Sequence, residues 1–242
     1  NPLPSDGKYR FNADNTLTRQ PWFGCACCPS NLCRFIPSLP GYIYAVKDNS
    51  LYVNLFAANT TKLKVGGKDV VVSQTTDYPW NGDVKIKIEK NNDPDLALHI
   101  RIPGWTRGEV VPSDLYTFVG DTVDDSTRWT ATTSNGKILS HSALDKGYLV
   151  VDKKTIGRKL KAGDEITVHF DMTPQMVKAN DRVSADRGRV AFERGPLVYC
   201  AESADNTGYD VLHTVVAAAS CTDKNSENCQ KGSAAGHCSS CP

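Results

Sequence analysis

Between Val84 and Ile102 the chain alternates apolar and polar residues with a period of two, and no other feature restricts its fold as much. Val84, Ile86 and Ile88 alternate with Lys85, Lys87 and Glu89, so this segment has one apolar and one wet face. Asn91-Asn92-Asp93-Pro94 turns the chain, and Leu96, Leu98, Ile100 and Ile102 resume the alternation. A helix would scatter these residues around its axis, whereas a strand places them on one side. The same pattern spans Leu51 to Phe56, which Asp48-Asn49 joins as a hairpin to Tyr42–Val46. Gly66-Gly67 links Lys62–Val65 to Val70–Val72 as a second hairpin. Later strands are predicted at 147–152, at 165–171 with Ile166, Val168 and Phe170 on one face, and at 189–193 and 197–202 around Arg194-Gly195-Pro196. Residues 104–146 show little regular pattern beyond Gly104-Trp105 and the Asn135-Gly136 turn. About ten strands at this spacing predict a mainly β chain, an antiparallel β-sandwich.

One short stretch differs in kind. Trp22-Phe23-Gly24-Cys25-Ala26-Cys27-Cys28-Pro29-Ser30-Asn31 places three cysteines before a segment in which Leu32, Phe35, Ile36 and Leu39 recur at helical spacing. Pro29 suits a helix's first turn, where its missing N–H has no partner to lose. Pro37 interrupts the helix, and Pro40-Gly41 is expected to end it. Cys27 and Cys28 then lie at a helix N-terminus, whose free N–H groups and dipole favour the thiolate. That form serves as nucleophile or metal ligand. Cys33, inside the helix, is expected to pack as a small apolar residue. On spacing alone, structural or disulfide-bonded thiols rank ahead of a metal or catalytic site, because two ligands on one segment need two more from elsewhere.

Composition narrows the partners. A net charge of +1 over 242 residues leaves no electrostatic footprint for nucleic acid, and no apolar run has the length of a membrane span. The nine cysteines are an odd number that cannot all pair within one chain. Residues 1–21, rich in Asn, Pro, Asp and Gly, read as an extended loop. The start at Asn1, without Met or leader, fits a removed signal or a piece of a longer protein. The small, polar end carries His237 beside Cys238-Ser239-Ser240-Cys241 and reads as a disordered tail.

At Cys25-Ala26-Cys27-Cys28-Pro29-Ser30-Asn31 the chain resembles the bacterial β-L-arabinofuranosidases of glycoside hydrolase family 127. Further segments are similar to the family in family order: Asn1-Pro2-Leu3, Ser5-Asp6-Gly7, Gln20-Pro21-Trp22-Phe23, Tyr42-Ile43-Tyr44, Arg101-Ile102-Pro103-Gly104-Trp105, Val111–Tyr116 and Arg194–Glu202. The likeness runs from Asn1 to about Leu212. It implies that residues 1–41 are the C-terminal end of an (α/α)6-barrel catalytic domain, 42–212 a β-sandwich region of one or two sandwiches, and 213–242 a Cys-rich tail outside the likeness.

The resemblance also implies a reaction. The family hydrolyses terminal β-L-arabinofuranosyl groups with retention, using a zinc-bound cysteine in place of one of the usual carboxylates. Carried over, Cys27 is nucleophile and zinc ligand and Cys28 a zinc ligand. The family's acid/base glutamate and its remaining ligands, a Glu and a Cys, lie upstream of the cysteine pair, and every glutamate here, Glu89 to Glu227, lies downstream. No residue of this chain takes the acid/base role, so the chain alone is expected to be inactive. The implied partners are an arabinose-containing glycan and the rest of the barrel, in the bacterial cytoplasm or periplasm. A different class, a non-catalytic sandwich that packs on a barrel or binds glycan through Trp80, Trp105 or Trp129, remains open, as does a structural metal held by Cys25, Cys27, Cys28 and the His237–Cys241 segment.

Overall fold

Valine and isoleucine at every second position need a dry surface, and the chain supplies it by laying one sheet on another. A computed structural model describes residues 27–120, 128–139, 143–202, 205, 206, 211 and 213–216. Among them are the helix α1 (Cys27–Phe35), the single turns α2 (Pro40–Ile43) and α3 (Lys153–Ile156), and thirteen strands, all in the unit Pro21–Cys200. A second unit contributes a turn in which the amides of Asp205 and Asn206 donate to Glu202 O at 3.0 and 3.2 Å.

The first sheet has four strands, β1 (Tyr44–Lys47), β2 (Ser50–Val53), β6 (Ala97–Arg101) and β9 (Tyr148–Val151), in the order β1-β2-β6-β9. The second has five, β3 (Asn59–Val65), β4 (Lys68–Thr76), β5 (Asp83–Asn91), β8 (Trp129–Thr133) and β10 (Glu165–Phe170), ordered β3-β4-β5-β10-β8. Leu51, Val53, Leu98, Ile100, Leu149 and Val151 from the first meet Val72, Val84, Ile86, Ile88, Ile166 and Phe170 from the second in one buried cluster. Lys85 and Glu89 point the other way into water. A third sheet, β13-β12-β11-β7, comprises β7 (Tyr116–Phe118), β11 (Gln175–Ala179), β12 (Val190–Arg194) and β13 (Leu197–Tyr199).

The alternation therefore read the core correctly, and both hairpins close as expected. Tyr44 pairs with Val53 and Lys47 with Ser50 across Asp48-Asn49. Gly66 and Gly67 take φ of +56° and +76°, the left-handed pair that a two-residue hairpin needs. The pairing is antiparallel as expected for most of the chain, with one exception: β2 and β6 run parallel, with Leu51 opposite Leu98. Parallel neighbours require a long crossover, and here the meander β3–β5 supplies it. The helix also ends differently. α1 stops at Phe35, two residues before Pro37, but Pro40-Gly41 does not end the helical path: Pro40 opens α2, which displaces the start of β1 to Tyr44. Pro40 suits that first position because a first-turn N–H has no helical partner.

Buried carboxylates fasten the turns. Asp93, fully buried, accepts from Asn49 Nδ2 at 2.7 Å and from the Asp95 amide at 3.2 Å, joining the β1–β2 turn to the β5–β6 turn. Asp164 accepts from both terminal nitrogens of Arg158 at 2.7 Å and from the Lys161 amide at 2.9 Å. Burial opposes the charge of both, yet the hydrogen bonds outweigh it and hold each carboxyl below its usual range.

Two outcomes follow. A Cβ at Gly82 would fall on the Phe170 carbonyl oxygen, and the Phe170 amide donates to Gly82 O at 2.9 Å. Gly82→Ala should therefore cost about 1–3 kcal/mol in urea unfolding, whereas Lys85→Ala on the wet face stays within about 0.5 kcal/mol. Because Asp93 and Asp164 have depressed folded-state values, their stabilisation is complete above the unfolded carboxylate range and is lost as pH falls through the folded values. Stability measured downward from about pH 5 should fall, with a shallower slope in Asp164→Asn.

Candidate functional site

The two thiols singled out in the sequence stand at the start of α1, and local hydrogen bonds fix the turn that carries them. Ser30 Oγ and Asn31 Nδ2 each donate to Cys27 O at 2.9 Å, so the polar residues after Pro29 bind back onto the first residue of the helix. Cys27 Sγ and Cys28 Sγ lie 3.9 Å apart, and both are exposed, unbridged thiols. Two sulfurs on a tetrahedral zinc with Zn–S of about 2.3 Å would be about 3.8 Å apart, so the spacing suits a shared metal. Among the described residues no group of three or more His, Cys, Asp and Glu side chains gathers into a metal site. The pair thus offers two of the four donors that a structural or catalytic zinc uses.

Cys33 departs from its expected burial. It is exposed, and the reason is the helix itself: α1 has no buried residue, and Leu32, Phe35 and Ile36 are each 55–56% exposed. Among the described residues Phe35 has a ring contact with Tyr42, with centroids 6.4 Å apart. The tryptophans divide. Trp105 and Trp129 are buried in the core cluster, and Trp80 is 71% exposed. Cys25 and the His237–Cys241 segment lie outside the described residues, as do the loop at 1–21 and the end of the tail.

Among the described residues, charged groups elsewhere do not complete the thiol site. Among the described carboxyls whose ionisation is clearly displaced, Glu193 alone is raised, by burial, with the Arg128 charge pulling the other way. It projects from β12 with Oε1 buried and unpaired. A raised carboxyl serves as a proton donor only where it reaches the reacting atoms, and no observed contact joins Glu193 to Cys27. Sequence patterning could not single out Glu193, because its burial comes from sheet pairing with Gln175 and Val198.

The arrangement thus combines a three-sheet β-region with an exposed helix that begins at a vicinal thiol pair. Residues 50–172 match the model for the beta-L-arabinofuranosidase GH127 middle domain, and residues 174–233 match the glycoside hydrolase family 127 C-terminal domain. The chain belongs to glycoside hydrolase family 127, of which it forms a C-terminal portion. The second match carries the likeness past Leu212. A non-reducing end beta-L-arabinofuranosidase of Bifidobacterium longum subsp. longum is 39% identical over 199 residues, which is 78% of this chain and 25% of that protein. A solved GH127 beta-arabinofuranosidase superposes with a TM-score of 0.68 at 51% identity, over 77% of this chain and 28% of its own. A GH127 beta-L-arabinofuranosidase from Geobacillus stearothermophilus T6 gives 0.61 at 31% identity, over 80% and 27%. The chain spans about a quarter of the length of these relatives.

Proposed function

We propose that the chain is the C-terminal portion of a retaining β-L-arabinofuranosidase, with Cys27 as nucleophile and zinc ligand and Cys28 as zinc ligand. The observation that supports this most is the pair of exposed, unbridged thiols 3.9 Å apart at the start of α1. On this reading residues 1–41 are the end of the catalytic barrel, 42–212 the sandwich region and 213–242 a tail. The exposed apolar residues Leu32 and Phe35 of α1, with Ile36 just after it, are what a helix cut from a barrel would present. The remaining metal ligands and the acid/base carboxyl come from the three quarters of the enzyme that this chain does not span.

Bound there, zinc would supply the positive charge that keeps the Cys27 thiol deprotonated at neutral pH. Cys27 Sγ then attacks the anomeric carbon of a terminal arabinofuranosyl group, forming a C–S bond as the bond to the leaving oxygen breaks. A carboxylic acid gives that oxygen its proton. Water, deprotonated by the same carboxylate, displaces the sulfur, and two inversions restore the original configuration. Ser30 and Asn31, bonded to Cys27 O, keep the nucleophile's backbone in its turn throughout.

In the intact enzyme Cys27→Ser should lower kcat by about a thousandfold or more, and Cys28→Ser should lower bound zinc. Alone, the 242-residue chain should carry substoichiometric zinc under reducing conditions and leave an aryl β-L-arabinofuranoside uncleaved. Zinc-dependent cleavage by this chain, or an active Cys27→Ser enzyme, would overturn the assignment. Elemental analysis and chromogenic turnover provide both readings.

A further inference from the structure

A cleft of about 500 Å³, within the size range of small-ligand sites, opens where the Pro103–Glu109 loop meets Tyr78 and the turn between β12 and β13. Tyr78, Trp105 and Pro196 form its apolar walls, and Asn54, Arg107 and Glu109 bring polar groups to it.

The loop is built to hold its shape. Pro103 is extended and its carbonyl accepts from the Thr106 amide at 3.2 Å and from Thr106 Oγ1 at 2.7 Å, which closes a tight helical turn. Gly108, at φ of +73°, then lets the Glu109 amide reach Gly104 O at 2.9 Å. Trp105 meets Phe170 edge-on, with centroids 5.8 Å apart, so the indole is fixed by the core while it lines the cleft.

Its polar atoms are not all satisfied. Trp105 is 8% exposed and its Nε1 has no hydrogen-bond partner. Burial raises the Tyr78 phenol, and the neighbouring Trp105 side chain and the Arg101 charge offset this only in part. Arg107 Nε is also buried and unpaired, while the two terminal nitrogens of Arg107 donate to Glu109 at 3.2 and 2.9 Å. Native chains rarely leave buried donors unmet, so these two N–H groups point to an acceptor that arrives with a ligand.

The set of groups narrows that ligand's chemistry. Glu109 neutralises Arg107 and adds an acceptor, which disfavours an anion. Asn54 Oδ1 accepts from Tyr148 Oη at 2.8 Å, which leaves the Asn54 amide as a donor. Donors and acceptors beside an indole and a phenol suit a group that both donates and accepts and carries an apolar C–H face, which describes a sugar. Trp80 adds an exposed ring nearby, its carbonyl tied by Arg194 Nη1 at 3.0 Å to the turn that carries Pro196.

We propose that this cleft is a subsite for a neutral sugar residue of a glycan, whose hydroxyls accept from Trp105 Nε1 and Arg107 Nε and donate to Glu109. It is independent of Cys27 and Cys28 and borrows from the proposed function only the choice of sugar. Its purpose would be to hold a polymeric substrate near the enzyme, raising the local concentration of chain ends.

The test is an NMR titration of the ¹⁵N-labelled 242-residue chain with L-arabinose and arabinotriose, following the indole N–H signals, with Trp105 assigned by Trp105→Phe. A saturable shift of the Trp105 signal is expected, with binding weakened about tenfold in Arg107→Gln and in Glu109→Gln. No saturable shift, a shift unchanged in both variants, or tighter binding of galacturonic acid would overturn the proposal. The Cys27→Ser form of the intact enzyme should show the same shift, and its absence there would mean that another segment occupies the cleft, which also overturns it. Because the readout involves neither thiol nor zinc, failure here leaves the nucleophile assignment to its own test.

Discussion

The two-sheet sandwich depends on one apolar layer, the contact between the inner faces of the first two sheets. Ile86 and Ile88 on β5, Val168 and Phe170 on β10 and Leu98 and Ile100 on β6 are all essentially without solvent contact. Burial on this scale is the dominant favourable term in folding and is proportional to the area removed from water. The ladders and turn carboxylates set register and connection within that layer. Phe170 is the pivot at one end, touching the rings of Phe56, Tyr78 and Trp105 at 5.3, 6.1 and 5.8 Å. The cleft walls are therefore the outer side of the core packing.

Legibility followed segment length and strictness of alternation. β5 and β10 repeat the pattern over enough residues to declare themselves, and Gly66-Gly67 announces its hairpin by chemistry alone. β7 has three residues, and β8 mixes Trp129 and Ala131 with threonines that sit as easily in a loop, so neither produces a period. β11 stayed hidden because only Val177 on it is buried. α3 carried a signal that passed unused: Asp152, three residues before Thr155, accepts from its amide and hydroxyl at 2.8 and 2.9 Å, a helix N-cap. The parallel pairing of β2 with β6 could not be read at all, because alternation tells which face a residue takes and nothing of the neighbour's direction.

The thiol pair and the cleft were legible to different degrees for the same reason. Vicinal cysteines beside a proline are a local pattern, visible without any fold. The cleft joins Asn54, Tyr78, Arg107 and Pro196, which only the sheets bring together. Arg101-Ile102-Pro103-Gly104-Trp105 was conspicuous as a string, yet the roles of its members appear only in three dimensions, where Ile102 enters the core and Trp105, held by Phe170, lines the cleft.

Among the described residues the helix α1 buries none of its own residues and joins the sandwich through α2 and β1, an edge strand paired on one side. Such a joint resists stretching far better than it resists swivelling. The sandwich can keep the thiol pair from drifting away, but it exerts almost no torque on the direction in which the sulfurs face. Aim must come from whatever meets Leu32, Phe35 and Ile36, so the orientation of the thiol pair is a property of that partner, and the sandwich acts as its mooring.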